Sequence, residues 1–211
     1  MATSLTFFIA LVCGIVGFSN AQMVTQCQCS DIEPCKAAYL NTIQPCMDQC
    51  QQHASAMGAN YAQIKQCLMQ HEPKLRATVA CAEGMHSDAC ARGSPQMVPK
   101  RYPETLKIAA LSEINKMLSK SGISGQAQSL LSVGKKIYGC VQSCMNKKAG
   151  NCEKKLKCGL SLPSDQVLVQ HAKQCAIQSG FNTATAQQLC NCVAAAGVKQ
   201  LAGICGKIQI S

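Results

Sequence analysis

Sixteen cysteines between Gln22 and Ser211 constrain this chain more than any other feature. They are Cys27, Cys29, Cys35, Cys46, Cys50, Cys67, Cys81, Cys90, Cys140, Cys144, Cys152, Cys158, Cys175, Cys190, Cys192 and Cys205. An even number at this density belongs to a disulfide scaffold. The competing use of cysteine, structural zinc, favours Cys-x2-Cys half-sites. None is present, and the histidines His53, His71, His86 and His171 are scattered among glutamines and charges. No metal or cofactor is therefore expected. All sixteen cysteines are expected in bridges, with a connectivity that spacing alone leaves open.

The N-terminus agrees with this chemistry. Residues 1–21 carry no charged side chain, Leu5 to Val16 is almost wholly apolar, and Ser19-Asn20-Ala21 offers small residues for cleavage. The segment reads as a secretory signal peptide, removed together with Cys13. Its apolar run falls short of the roughly 20 residues of a membrane anchor. No later stretch reads as a transmembrane segment. The expected location is secreted and extracellular, in a compartment where disulfides form and persist.

Composition explains why bridges are needed. After the leader there is no Trp, a single Phe (Phe181) and four Tyr. Aromatics supply the largest apolar area per side chain, so the core is expected from Ala, Leu, Ile, Val and Met. Each bridge contributes about 2–4 kcal/mol, so the cross-links are expected to be essential to folding.

Helical periodicity runs through the chain, and the fold class is all-α and disulfide-rich. Ser30-Asp-Ile-Glu33 reads as a capping box with Pro34 near the first helical position, and Pro45 as the end or a kink of that helix. Asn60 and Ser164 read as N-caps, and Gly58 and Gly180 as helix terminators. Pro73 opens a short helix. Ile108, Leu111, Ile114 and Leu118 form one stripe of a helix over 104–120, whose plain reading is a core-facing face. A long helix follows from Gln126 to Lys147, weakened by Gly134 and Gly139. Ser121-Gly122 and Ser124-Gly125 resemble glycosaminoglycan attachment sites. They lack acidic neighbours, which favours a plain hinge.

One phrase recurs. Cys46-x3-Cys50 is followed after sixteen residues by Cys67, and Cys140-x3-Cys144 returns later, with sixteen residues between Cys158 and Cys175. Two diverged helical modules of eight cysteines each follow from it. The first spans 22–90 and the second, basic one 104–211, joined by a Pro-rich basic linker over 91–103. One continuous helical domain is the alternative. An antiparallel hairpin around Gly58 would bring Cys50 opposite Cys67, the pairing expected from this layout.

Charge is uneven. Residues 22–103 carry seven Lys or Arg against six Asp or Glu, and residues 104–211 thirteen against four. Lys135, Lys136, Lys147, Lys148, Lys154, Lys155 and Lys157 cluster within 23 residues. If Cys152 and Cys158 fold the loop back, the lysines converge into an anion-binding patch for glycans or matrix components; a solvated loop is the plainer reading. Nucleic acid is not expected, because no aromatic side chains stand beside the lysines for stacking. Catalysis is not expected either. There is no Gly-x-Ser-x-Gly, no spare thiol, and no cysteine pair beside a helical His.

The residues Cys27-Gln-Cys-Ser-Asp-Ile-Glu-Pro-Cys35, the pair Cys46-x3-Cys50, and Gln66-Cys-Leu-Met-Gln-His-Glu72 before Cys81 carry a resemblance. This third of the chain resembles the cysteine-rich module of small secreted nematode proteins similar to a chondroitin proteoglycan core protein. The resemblance implies an extracellular, non-catalytic protein. The functional expectation is thus a secreted structural or binding protein, engaging anionic glycans through its lysine-rich loop. A carrier of a small apolar ligand and a secreted inhibitor or toxin-like effector are the alternatives. A carrier predicts a closed apolar pocket of several hundred Å³, on the scale typical of ligand sites.

Overall fold

The computed structural model describes residues 22–150 and 155–210; the leader at 1–21, with its expected signal peptide, lies outside the described residues, as do Cys152 and Lys154. The fold is all-α and disulfide-rich. Its helices are α1 (Cys29–Gln49), α2 (Gln52–Ser55), α3 (Tyr61–Met69), α4 (Glu72–Met85), α5 (Pro103–Lys120), α6 (Ser124–Lys148), α7 (Asp165–Gln178) and α8 (Thr183–Ala195). Two 3₁₀ turns, Lys199–Leu201 and Cys205–Lys207, end the chain. Strands β1 (Met23–Thr25) and β2 (Met97–Pro99) pair antiparallel, with Val24 opposite Val98.

Local signals account for most helix ends. The Asn60 side chain accepts a hydrogen bond from the Gln63 amide at 3.2 Å, and the Ser164 hydroxyl accepts one from the Val167 amide at 3.5 Å. Each satisfies an amide that would otherwise lack a partner. Gly58 follows α2 at a φ of 76° and Gly180 follows α7 at 91°, left-handed values at which only glycine avoids a Cβ clash. The start of α1 differs from expectation. Gln28 is its N-cap and makes no side-chain capping bond, so the Ser30–Glu33 capping box does not form. Both Pro34 and Pro45 lie inside α1, which runs on to Gln49. Pro45 removes one backbone hydrogen bond, but its neighbours Cys46 and Cys50 are bonded to a second helix.

The bridges define the architecture. All fifteen described cysteines are disulfide-bonded. Cys46 bonds Cys144 and Cys50 bonds Cys140. Rising numbers on α1 meet falling numbers on α6, so the two helices lie antiparallel with two rungs between them. Cys67 on α3 bonds Cys192 on α8, and Cys81 on α4 bonds Cys175 on α7. Cys27–Cys158, Cys29–Cys90 and Cys190–Cys205 complete the described set. Helix packing follows the same pairs: α1 against α6, α4 against α7, and α3 against α8. Each of these helices from the first half finds its partner in the second.

This corrects the expected pairing of Cys50 with Cys67. Asp48 of α1 does reach Tyr61 and Lys65 of α3 across the Gly58 turn, but Cys50 and Cys67 are each bonded to a later helix. Five described bridges also cross residues 91–103, the expected linker. The bridges fit one continuous helical domain and leave neither half closed by itself. The Pro-rich segment is built into the body. Val98 of β2 is 4% exposed, and the Arg101 guanidinium donates to the Leu162 and Pro163 carbonyls and pairs with Asp165 at 3.2 Å. Gly159 pairs along the other edge of β1, its amide donating to the Thr25 carbonyl at 2.9 Å and its carbonyl accepting from the Cys27 amide at 2.8 Å. A Cβ there would stand 2.7 Å from the Val24 side chain and 3.2 Å from that of Val98.

The core is unusual in substance. Its buried apolar residues are Ala, Val, Ile and Cys, with nine of eighteen being cysteine. Ile123, Val198, Cys46 and Cys175 are the largest side chains fully removed from solvent. The leucines and methionines expected in the core are half-buried or exposed. Sulfur bridges occupy the centre and take the place of large hydrophobes.

Cleavage of the purified protein between Lys100 and Arg101 should leave one covalent species under non-reducing conditions. Reduction should release two fragments. Mass spectrometry reads both states, and separation before reduction would overturn the cross-half connectivity.

Candidate functional site

Helices α5 and α6, with the C-terminal tail, line an apolar cavity of about 660 Å³ that is open to solvent along part of its length. Side chains of α5 reach it at Pro103, Leu106, Lys107, Ala110, Leu111, Ile114 and Leu118. This is a helical stripe, with steps of three and four residues. It differs from the expected one at one position: Ile108 faces away and is 66% exposed. From α6 come Ala127, Leu130, Leu131, Gly134, Lys135 and Tyr138, and from the tail Leu201, Ile204 and Ile208.

The two ends of the cavity differ. At the tight turn between the helices, Ile123 is 1% and Ala127 5% exposed, which closes that end. Gly122 turns the chain there at a φ of 66°. At the other end Pro103, Leu106, Lys107, Lys135 and Tyr138 are all exposed. Lys107 Nζ lies 5.2 Å from the Tyr138 ring centre, a cation–π distance.

The tail forms the remaining wall and is held at several points. Cys205 is bonded to Cys190 on α8, and Ile204 is buried. Gln187 Nε2 donates to the Gly206 and Ile208 carbonyls at 3.1 Å each. The Gln209 amide donates to the Ser121 hydroxyl at 2.9 Å, and that hydroxyl donates to the Met117 carbonyl. Ser121 therefore serves to fix the turn and the tail, with its oxygen already engaged on both sides.

A smaller apolar cavity of about 230 Å³ lies on the adjoining flank of α6, lined by residues including Met47, Met57, Tyr61, Ile64 and Leu68. Leu130, Gly134 and Leu201 line both cavities. Gly134 is central to this arrangement. Glycine inside a helix costs about 0.5–1 kcal/mol relative to alanine, and a Cβ at 134 would meet no atom within 4 Å. Tight packing therefore does not require glycine here. Its effect is to leave space between the cavities. A third depression, along Ile108, Leu111 and Lys116, is lined by α5 alone and is not enclosed by a second element.

Ion pairs brace the walls. Glu113 of α5 accepts from Lys173 of α7 at 2.9 Å and from Gln170 at 3.0 Å. The Lys173 hydrogen bond, with help from Gln170 and the charges of Lys173 and Lys116, holds the Glu113 carboxyl below its usual range against the opposing effect of burial. Asp48 of α1 accepts from Lys65 at 2.8 Å and from Tyr61 at 2.7 Å, and these bonds lower its pKa in the same way. Burial first, and then Asp48, pushes the Tyr61 phenol well above its ordinary value.

The expected lysine patch is distributed differently from the cavity. Lys135 and Lys136 sit in mid-α6, while Lys147 and Lys148 end it. Twelve residues at about 1.5 Å each separate Lys135 from Lys147 by roughly 18 Å along the helix axis. Lys155 and Lys157 are exposed, and Lys155 Nζ lies close to Gly150, beside the helix end. Cys158 is bonded to Cys27. Lys147, Lys148 and Lys155 thus stand at the end of α6, Lys135 and Lys136 form a separate pair, and Lys157 adjoins the Cys27–Cys158 bridge. Lys135 alone among them lines the cavity. The sequence reading missed Lys107, Tyr138 and the tail residues Leu201, Ile204 and Ile208. Lys107 and Tyr138 lie far apart in the chain, and the tail carries no periodic signal.

Among the described residues, no helix is long and apolar enough to cross a membrane. Compared with protein-family models, curated proteins and solved structures, the chain matches none.

The Glu113–Lys173 contact has a defined pH signature. A carboxyl whose folded pKa lies below its unfolded value near 4.5 stabilises the fold above that value. The contribution disappears as pH falls through the folded pKa. Glu113→Gln should therefore lower stability by about 1 kcal/mol or less at pH 7. The gap to the parent should narrow as pH falls below 4.5 and through the lowered folded pKa. Thermal unfolding followed by circular dichroism across this range checks it; an equal gap at pH 3 and pH 7 would exclude the ion pair as its cause.

Proposed function

We propose that this protein is an extracellular, non-catalytic binding protein that carries a small apolar ligand in the cavity between α5, α6 and the C-terminal tail. The observation that carries the reading is the 660 Å³ cavity itself. It falls within the roughly 300–1,000 Å³ of small-molecule sites, and its lining is mostly apolar with a few polar groups, as such sites are. The bridges fit an oxidising, extracellular setting. The resemblance of residues 27–90 to secreted, non-catalytic modules points the same way. Engagement of glycans by the lysines has less behind it, since the described lysines divide along α6.

A solid core would contradict this reading, and here half of the buried apolar residues are cysteine while leucines face open space. A cavity costs stability in proportion to the contacts its walls lose, about 24 cal/mol per Å³ in closed, dry cases. An occupant restores those contacts. Binding to the folded state alone also stabilises it by mass action.

An apolar fluorescent probe should bind the purified protein saturably. Organic extracts of freshly isolated protein should contain a co-purified lipid-like molecule. Gly134→Leu places a side chain in the space shared by the two cavities and also raises helix propensity. That variant should keep its melting temperature and lose most probe binding. Ile108→Ser, outside the stripe, should change neither. Absence of saturable probe binding together with clean extracts would overturn the reading.

A further inference from the structure

We infer that the ligand of this cavity is a single-chain amphiphile with a terminal carboxylate, its chain lying toward Ile123 and its head between Lys107 and Lys135. The inference rests on the reading of the cavity as a ligand site and adds the chemistry of its occupant.

Three observations support it. First, the two charged side chains on the lining are both lysines. Neither forms an ion pair with a described carboxylate. Second, both belong to the Tyr138 end of the lining. Lys107 Nζ stands over the Tyr138 ring at 5.2 Å, and Lys135 lies three residues before Tyr138, on the same face of α6. Third, polarity follows depth. Both ammonium groups and the phenol belong to exposed residues at the open end, while the far end is closed by buried Ile123, Ala127 and Ile204. A molecule apolar at one end and anionic at the other matches this gradient. A cationic head would meet two like charges.

The number of donors selects the anion. Two ammonium groups on flexible stems act as point charges, without the rigid fork of arginine or a cradle of backbone amides. Lysine holds phosphate as well as carboxylate in this way, and the choice of a carboxylate rests on there being just two such groups on the lining. The Lys107 stem lines the cavity as part of the apolar stripe and carries its charge at the rim, as long cationic side chains commonly do.

The test compares heads on one chain. A long-chain fatty acid, the alcohol of equal length, the alkyl phosphate and the alkyl trimethylammonium are titrated against the full disulfide-bonded protein, below their aggregation concentrations, by displacement of the apolar probe. The acid should bind at least threefold more tightly than the alcohol and more tightly than the phosphate, and the trimethylammonium more weakly than the alcohol. In Lys107→Gln/Lys135→Gln the advantage of acid over alcohol should fall to near unity, with alcohol affinity unchanged. Raising the salt concentration should erode the advantage in the parent and leave the variant unaffected. Lys147→Gln/Lys148→Gln, at the distal end of α6, should behave as the parent. If alcohol and acid bind equally in the parent, the carboxylate assignment is overturned while the apolar site stands. Tightest binding of the phosphate overturns the choice of anion. If none of the four displaces the probe, the ligand-site reading falls with it.

Discussion

Two rungs hold this molecule together at its centre: Cys46–Cys144 and Cys50–Cys140, between antiparallel α1 and α6. Four residues separate the cysteines on each helix, about one turn, so both thiols of a pair fall on one face. Two bonds at this spacing fix the separation, the direction and the axial register of the helices together. Everything else is placed relative to them. The Pro45 position remains helical between tethered turns, and the two cavities open on adjoining flanks of α6. The remaining cross-half bridges repeat the principle with single rungs, α3 to α8 and α4 to α7.

This arrangement changes the source of stability. A domain of this size normally rests on large buried side chains at about 25 cal/mol per Å² of apolar area. Here the buried apolar set holds no leucine, methionine or aromatic residue. Bridges closing loops of some ninety residues or more act on the unfolded chain, at about 4–5 kcal/mol each in the chain-entropy account. Overlapping loops make the sum smaller than the parts. Even so, a cross-linked frame can keep its shape without filling its interior. The open space beside α6 is then compatible with a defined fold, where a bridge-free bundle of the same composition would collapse onto it or come apart.

Helix identity and class were legible because they depend on neighbours in sequence. Asn60, Ser164, Gly58 and Gly180 end helices through groups one turn away, and each does so as read. Connectivity was not legible, because it depends on three-dimensional distance. The matching Cys46-x3-Cys50 and Cys140-x3-Cys144 spacing was read as a repeat of one module. The same equality is what two rungs between antiparallel helices require, so the two copies are each other's partners. The stripe on α5 was read nearly whole, with Ile108 as the exception. Its apolar character showed that the face is covered, and could not show whether a packed helix or open space covers it. The α6 glycines were read as weak points of the helix. Gly134 marks space between two cavities, a role visible only with Leu130 and Leu201 around it.

The charge surplus of the second half takes on a different meaning once α6 is placed. Read along the chain, Lys135 to Lys157 is one basic run. In the fold, Lys135 belongs with Lys107 and Tyr138 at the cavity rim, and Lys147, Lys148 and Lys155 belong with the helix end. The first group touches apolar lining, where a cation is useful only toward a molecule that brings its own anion. The second lies at the helix C-terminus, where the backbone dipole favours positive charge whatever binds elsewhere. One run thus divides into a residue beside the apolar lining and a group at the helix end. The division between them follows from which flank of α6 faces α5 and which end of α6 runs beyond it, and the α1–α6 rungs determine both.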